Sequence, residues 1–457
     1  MILFIISLAV IALTAICLVR HLNAQGTLMT AGLLMCVIAL LCGGETITLT
    51  NPTGNTVFDV VKLIEETFST TTARAGLMIM TIGGYVAFMN KIEATHTLVR
   101  IASHPLRGFR QFPMVAAAMT IPIGQLLFIT TPSATGIGLL LVASVYPILT
   151  SLGVSRLTAL SMIAATTIFD QGPGSANTAL AAELIGENNV QYFLTHQLPL
   201  VIPTTVIVII TFCAFNIYFD RKDRKRRMAD TGNDVGEIKT KAPAYFALFP
   251  VLPLVLLIVF SPYVGITPKP IHLTTTTAMF FSLFVTLVFY LFQTRSLRAT
   301  FQVFGAFWQG MGKVFGNVVT LIVASEIFSK GLIQLDFINS LVSLTTSAGL
   351  GGMAIIVVFT LVIFLAAILM GSGNAAFFSF GPLMPGIATK LSLPTYALVL
   401  PTQLASSMGR ASSPIAGVIV AIAGVAGASP MELAKRNAAP LAISVAFLII
   451  YHLITLS

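Results

Sequence analysis

Long apolar runs separated by short polar stretches extend from one end of the chain to the other. Ile2–Val19, Gly26–Leu41, Val201–Phe215, Tyr245–Phe260, Thr274–Phe292 and Pro440–Ile454 each approach the ~20 apolar residues that carry a helix across ~30 Å of hydrocarbon. The whole pattern predicts about ten spanning helices. The first run has no basic stretch before it, and Arg20 and His21 follow it. It therefore reads as a span and not as a cleaved signal.

Four polar breaks interrupt this pattern. Thr130–Gly138 (TTPSATGIG) lies between Met114–Phe128 and Leu139–Leu149, and neither flank is comfortable as a span with polar ends. Arg107 and Arg110 precede it and Arg156 follows, which predicts a re-entrant hairpin that turns at Pro132–Gly136. A counterpart turns at Gly371–Ala376 (GSGNAA). Phe169–Thr178 (FDQGPGSANT), between Leu157–Ile168 and Ala179–Ile185, and Ser406–Pro414 (SSMGRASSP), between Tyr396–Leu404 and Ile415–Val425, predict broken helices. Pro and Gly unwind the backbone there, and the following half-helix presents unpaired N–H groups and a positive dipole end. Such backbone is tolerated at membrane depth only where protein buries it or water reaches it.

The breaks recur in the same order in two halves. Gly83–Ser103 (GGYVAFMNKIEATHTLVRIAS) resembles Val323–Ser343 (VASEIFSKGLIQLDFINSLVS), an offset of 240 residues. That offset carries Thr131–Gly136 onto Gly371–Ala376 and brings Asp170–Ser175 close to Gly409–Pro414. The prediction is an all-α integral membrane protein of two repeats, residues 1–219 and 244–457, joined by a cytoplasmic linker at 220–243. Each repeat holds about five spans, an odd number, and so the repeats are expected to be inverted. The hairpins are expected at about 112–150 and 352–388, and the broken helices at about 157–190 and 396–427.

Composition agrees with this class. The 457 residues are 56% hydrophobic and 9% charged, against about 25% charged in a soluble domain. Cys17, Cys36, Cys42 and Cys213 fall inside predicted spans without zinc or redox spacing, and the six histidines form no cluster, so no metal site is expected. The net charge of +9 is not a nucleic-acid signal, because its bearers sit in short loops. Arg20, Lys91, Arg100, Arg107, Arg110, the run Arg221, Lys222, Arg224, Lys225, Arg226 and Arg227, then Arg295, Arg298, Lys435 and Arg436 all fit one cytoplasmic side. Glu45–Glu66 and Glu183–Gln191 then face outward, and both termini are expected in the periplasm. Trp308 with Phe301, Phe304 and Phe307 predicts an interfacial amphipathic helix.

The candidate chemistry sits at the breaks. Ser133, Ala134, Thr135 and Gly136 at one tip, with Ser372, Gly373 and Asn374 at the other, supply hydroxyls, an amide and open backbone. Ser175 and Asn177 in the first broken helix, and Arg410, Ser412 and Ser413 in the second, complete the expected substrate site. Asn177 is either a polar ligand or a partner for freed backbone. A charge at bilayer depth costs ~2.5–3.5 kcal/mol even on the lenient scale. Arg410 is thus either a carboxylate clamp for substrate or half of a structural pair with an acid or freed carbonyls. Asp170 meets the same two readings, and as an acid it suits a cation or a proton. Asp170, Thr131 and Glu326 are the candidates for a coupling ion, Na+ or H+; Glu326 also has Lys330 four residues on, the spacing of a local helical pair.

Ser133–Leu141 (SATGIGLLL), Asn317–Leu332 (NVVTLIVASEIFSKGL), Gly371–Phe377 (GSGNAAF), Gly409–Ala421 (GRASSPIAGVIVA) and Ser429–Arg436 (SPMELAKR) resemble the anaerobic C4-dicarboxylate carriers of the DcuC/DcuD type, along nearly the whole chain. The paired tips and broken helices are more remotely similar to the divalent-anion/sodium symporters. The resemblance implies exchange or efflux of fumarate, succinate, malate or aspartate across a bacterial inner membrane, by a lipid-embedded homodimer whose transport domain slides like an elevator. Asp170–Thr178, with its acid and Gly-Pro-Gly, departs from the family pattern. Another organic anion or an amino acid on the same fold is the alternative cargo. An intramembrane hydrolase would need a nucleophile and base at recognisable spacing, and the sequence has none; inverted breaks also suit alternating access better than a channel.

Overall fold

The computed structural model describes residues 2–20, 22–42, 49–109, 111–222, 240, 242–261, 271, 273–347 and 351–456. Arg110, part of the Glu45–Glu66 segment and most of the central linker, with Arg224 to Arg227, lie outside the described residues. Among the described residues the chain is helical, with no strand.

The first half runs α1 (Ile2–Val19), α2 (Ala24–Leu41), α3 (Thr56–Thr71), α4 (Leu77–Lys91), α5 (Ala94–Ser103), α6 (Pro113–Thr130), α7 (Ala134–Ser151), α8 (Arg156–Ala165), α9 (Ala176–Ile185), the single turn α10 (Asn189–Tyr192) and α11 (Leu198–Lys222). The second half runs α12 (Leu252–Val259), α13 (Thr275–Thr294), α14 (Leu297–Val314), α15 (Thr320–Gln334), α16 (Phe337–Ser347), α17 (Gly352–Met370), α18 (Gly373–Phe380), α19 (Met384–Lys390), α20 (Thr395–Ala411), α21 (Gly417–Val425) and α22 (Pro430–Leu456). Nine helices, some of them two of these elements joined end to end, are long and apolar enough to cross a membrane among the described residues.

Small residues set the closest helix contacts, as expected where lipid removes the hydrophobic drive for association. A Cβ on Gly32 of α2 would lie 2.6 Å from the Ile327 carbonyl oxygen of α15, and one on Gly331 would lie 2.5 Å from the Gly32 carbonyl oxygen. On the α4–α14 seam, a Cβ on Gly310 would lie 2.7 Å from the Gly83 carbonyl oxygen. Two long helices, Thr56–Lys91 and Leu297–Gln334, each contain a five-residue π-turn, Thr72–Gly76 and Phe315–Val319. These turns meet, since a Cβ on Gly76 would reach within 3.2 Å of Val319 Cγ1.

Two expectations need correction. Tyr245–Phe260 is not one regular span: Ala244–Val251 is a 3₁₀ helix leading into α12, because Pro250 and Pro253 interrupt the α-helical ladder. The Trp308 segment is helical, and α14 continues through the π-turn into α15; Phe301 and Trp308 are exposed, whereas Phe307 is fully buried and packs on Phe280 at 5.6 Å between ring centroids. Arg436 is no loop charge. It lies buried within α22 and pairs with Asp220 at the end of α11, so a positive-inside count assigns it to water when its partner is a helix.

Candidate functional site

Three of the four breaks are tighter than their composition suggests, and the first broken helix keeps its expected length but starts earlier. The first hairpin turns on Thr131–Ser133 alone, because α7 already begins at Ala134. The second turns on Gly371 and Ser372, leaving Asn374 half-buried in the first turn of α18. The first broken helix opens over residues 166–175, between α8 and α9. The second opens only over residues 412–416, so Ser406–Gly409 stay helical and Arg410 stands in the last turn of α20. Gly409 serves packing here and not unwinding: a Cβ on it would lie 2.9 Å from Ala367 Cβ of α17.

Serine caps start the helix after three of the four breaks. Ser133 Oγ accepts from the Gly136 N–H (3.3 Å), Ser372 Oγ from the Ala375 N–H (3.2 Å), and Ser175 Oγ from the Asn177 and Thr178 N–H groups (3.1 and 3.3 Å). Each hydroxyl occupies N–H groups that a helix start otherwise leaves unpaired. The fourth half-helix differs. α21 starts after Ala416, and no side chain caps it.

The breaks converge. A Cβ on Gly174 would lie 3.9 Å from Pro132 Cγ, and one on Gly417 would lie 3.6 Å from the exposed Thr135 Oγ1. Gly371 holds φ +68°, and a Cβ there would lie 3.2 Å from the Ala416 nitrogen. Gly373 packs against α20, where a Cβ would meet the Ser406 carbonyl oxygen at 2.8 Å. Asn177 Nδ2 donates to Ser407 Oγ at 3.4 Å. Arg410 Nη1 stands 3.8 Å from Asp170 Oδ2, and both side chains are almost fully buried, at 11% and 9% exposure.

Asp170 is held on three sides. Ser175 Oγ donates to its Oδ1 at 2.6 Å, so Ser175 is committed both to Asp170 and to capping α9. Gln403 Nε2 donates to the Asp170 carbonyl at 2.9 Å. Gln403 Oε1 in turn accepts from Tyr192 Oη (2.8 Å) and Gln197 Nε2 (3.0 Å), while Gln197 Oε1 accepts from the Gly172 N–H at 3.1 Å. Gly172 itself holds φ +96°, a left-handed turn that favours glycine. Sequence reasoning missed this buried Gln403–Gln197–Tyr192 assembly. Its one signal is an isolated amide within the apolar run around Pro401.

The two breaks carry opposite unmet needs. Arg410 Nη2 donates to the Thr167 carbonyl at 2.7 Å, but Arg410 Nε, Ser412 Oγ and Ser413 Oγ are buried without a partner. Beside Asp170, the acceptors Gln171 Oε1 and Asn177 Oδ1 are likewise unpartnered. Buried polar atoms are rarely left so, and here donor capacity gathers on one break and acceptors on the other. Thr131 is buried at the end of α6, and its carbonyl accepts from the Ser133 N–H at 2.7 Å. Glu326 is not gathered into this group: Thr71 Oγ1 donates to it at 3.0 Å, and Lys330 Nζ donates to Thr67 Oγ1 at 3.0 Å, so both turn to α3. Among the described residues no cluster of His, Cys, Asp or Glu is placed to hold a metal.

The comparisons with known proteins agree with this architecture. The chain is 31% identical over 435 residues to the probable anaerobic C4-dicarboxylate transporter DcuC of Vibrio cholerae, covering 95% of this chain and 93% of that one. It is 29% identical over 446 residues to the anaerobic C4-dicarboxylate transporter DcuC of Escherichia coli K12, covering 97% and 95%. The fold is shared with MtrF of Neisseria gonorrhoeae, described within a class of antimetabolite efflux pumps (TM-score 0.64, 13% identity, 95% and 96% covered). It is also shared with the YdaH transporter of Alcanivorax borkumensis (TM-score 0.62, 14% identity, 94% and 98% covered). These relatives are transporters and not enzymes. The family model of the C4-dicarboxylate anaerobic carriers matches residues 2–457, and the chain belongs to that family, DcuC.

Proposed function

We propose that the chain is a secondary transporter that carries a C4-dicarboxylate, such as fumarate, succinate, malate or aspartate, by exchange or in one net direction. The observation that carries this reading is the donor cluster at the second break: Arg410 Nε, Ser412 Oγ and Ser413 Oγ buried without partners beside the uncapped start of α21. An uncapped helix start and a guanidinium both favour a carboxylate. One carboxylate of the substrate sits there, and the tips at Thr135–Gly136 and Gly373–Asn374 close around the rest. Purified protein in liposomes should take up labelled succinate against internal succinate or fumarate; no counterflow with any small carboxylate would sink the reading.

The acceptors on the first break favour a second cargo. Asp170, Gln171 Oε1 and Asn177 Oδ1 suit either a coupling cation, Na+ or H+, or the ammonium group of an amino acid. Competition by a panel of dicarboxylates and amino acids, run with and without sodium at two pH values, separates these uses. On the same reading the two halves are inverted repeats in a bacterial inner membrane with both termini periplasmic. A homodimer holds the scaffold while the unit bearing the four breaks moves as an elevator. Cross-linking between the Gly373 tip and α15 in opposite states would test that movement.

A further inference from the structure

Asn437 of α22 lies wholly buried, and its Nδ2 donates to the carbonyl of Ala411 at 3.0 Å. Ala411 is the last residue of α20, between Arg410 and Ser412. The final carbonyls of a helix have no partner within it. Here the Arg410 carbonyl accepts from the Ser413 N–H at 3.1 Å, the Gly409 carbonyl from the Ser412 N–H at 3.0 Å, and the Ala411 carbonyl from Asn437. The end of α20 is thus fixed from outside, at the residue that follows the guanidinium.

Asn437 is held in turn. Its Oδ1 accepts from Ser161 Oγ of α8 at 2.7 Å, and Ser161 Oγ accepts from Asn216 Nδ2 of α11 at 3.0 Å. Asn216 Oδ1 accepts from Arg436 Nε at 2.5 Å, and Arg436 Nη2 donates to Thr158 Oγ1 at 2.7 Å and pairs with Asp220. Ser155 Oγ and Thr158 Oγ1 complete the Asp220 carboxylate at 2.6 and 2.9 Å, and the Phe219 ring lies 5.4 Å from the guanidinium carbon. This network ties α8, α11 and α22 together, and Asn437 is its contact with the second break.

We propose that Asn437 is a positioning residue for the substrate site: it sets where α20 stops, and thereby the aim of Arg410, Ser412 and Ser413, while the Arg436–Asp220 network holds it in place. The proposal rests on the second break being the anion site. Asn437→Asp keeps the shape and the acceptor for Ser161 but removes the donor to Ala411. In proteoliposomes it should raise the succinate KM roughly tenfold with Vmax changed less than about twofold. Ser161→Ala, a milder cut in the same chain, should raise KM in the same direction by less; if Asn437→Asp fails to fold, this variant decides. An unchanged KM, or a fall in Vmax and melting temperature with KM constant, overturns the proposal. Arg410→Ala, carried in parallel, reads the site separately. A transport-dead Arg410→Ala with an unchanged Asn437→Asp KM overturns only the positioning role, whereas normal transport by Arg410→Ala fells the site and the positioning role together.

Discussion

Arg410 Nη1 and Asp170 Oδ2 face each other at 3.8 Å across the two broken helices, from opposite halves of the chain. That separation is long for an ion pair, and Arg410 makes its closer bond to the Thr167 carbonyl at 2.7 Å. The guanidinium is therefore restrained without being saturated. Removing one partner of a buried pair leaves an uncompensated charge and costs ~3–5 kcal/mol. Arg410→Ala and Asp170→Asn should each lower the melting temperature in detergent. The double variant should recover much of that loss yet remain without dicarboxylate transport. Transport by the double variant would show that the pair serves folding alone.

The amide network gives a second expectation. Gln403→Leu removes the amide donor to the Asp170 carbonyl, takes the acceptor from Tyr192 Oη and leaves Gln197 Nε2 with Thr178 Oγ1 alone. Each buried group so orphaned costs ~1–3 kcal/mol. Tyr192→Phe removes one of the same bonds, so the two losses should fall short of additivity. A double-mutant cycle on thermal stability checks this; strictly additive losses would mean that the groups act independently.

Glycines in the α2–α15 seam should behave unlike those facing open space. Gly331→Leu must push against a backbone oxygen that a Cβ alone would meet at 2.5 Å. The overpacking should cost at least ~1–3 kcal/mol, visible as reduced yield of folded protein on size-exclusion chromatography. Gly312 has nothing within 4 Å of a built Cβ, so Gly312→Ala should be neutral or stabilising by up to ~1 kcal/mol. Equal damage from both would contradict the packing description.

Thiol labelling tests the orientation. Cys42 follows α2 and is exposed, whereas Cys36 is buried on the same helix. With the N-terminus in the periplasm, a membrane-impermeant maleimide should label Cys42 in intact cells and leave Cys36 unmodified. Labelling of Cys42 only after permeabilisation would reverse the threading.

Much of this architecture is legible in the chain because the signals are coarse. Runs such as Thr274–Phe292 and Ile2–Val19 mark helices by length, and Pro and Gly mark the interruptions at Thr131–Ser133 and Gly172–Gly174. Asp170 and Arg410 each stand out in the chain as charges at a polar break, and they meet at 3.8 Å. Finer roles are not legible. A serine after a break reads the same whether it caps a helix or faces a ligand, and Ser133, Ser175 and Ser372 all cap. Gln403 and Gln197 are single amides in apolar runs, so no periodicity reveals that they meet 3.0 Å apart. Arg436 reads as a loop charge because charge counting weighs position near a helix end and not the acid, Asp220, that it meets in another helix.

The serine caps also bear on what this carrier refuses. Small inorganic anions such as phosphate and sulfate gather at helix starts with free N–H groups. Three of the four starts around the site give one or two of theirs to their own serine hydroxyls, and α21 alone has no side-chain cap. An anion that relies on free helix-start N–H groups alone meets one side-chain-free start among the four. The positive ends that face this site are thus partly spent on the chain's own side chains before any solute arrives.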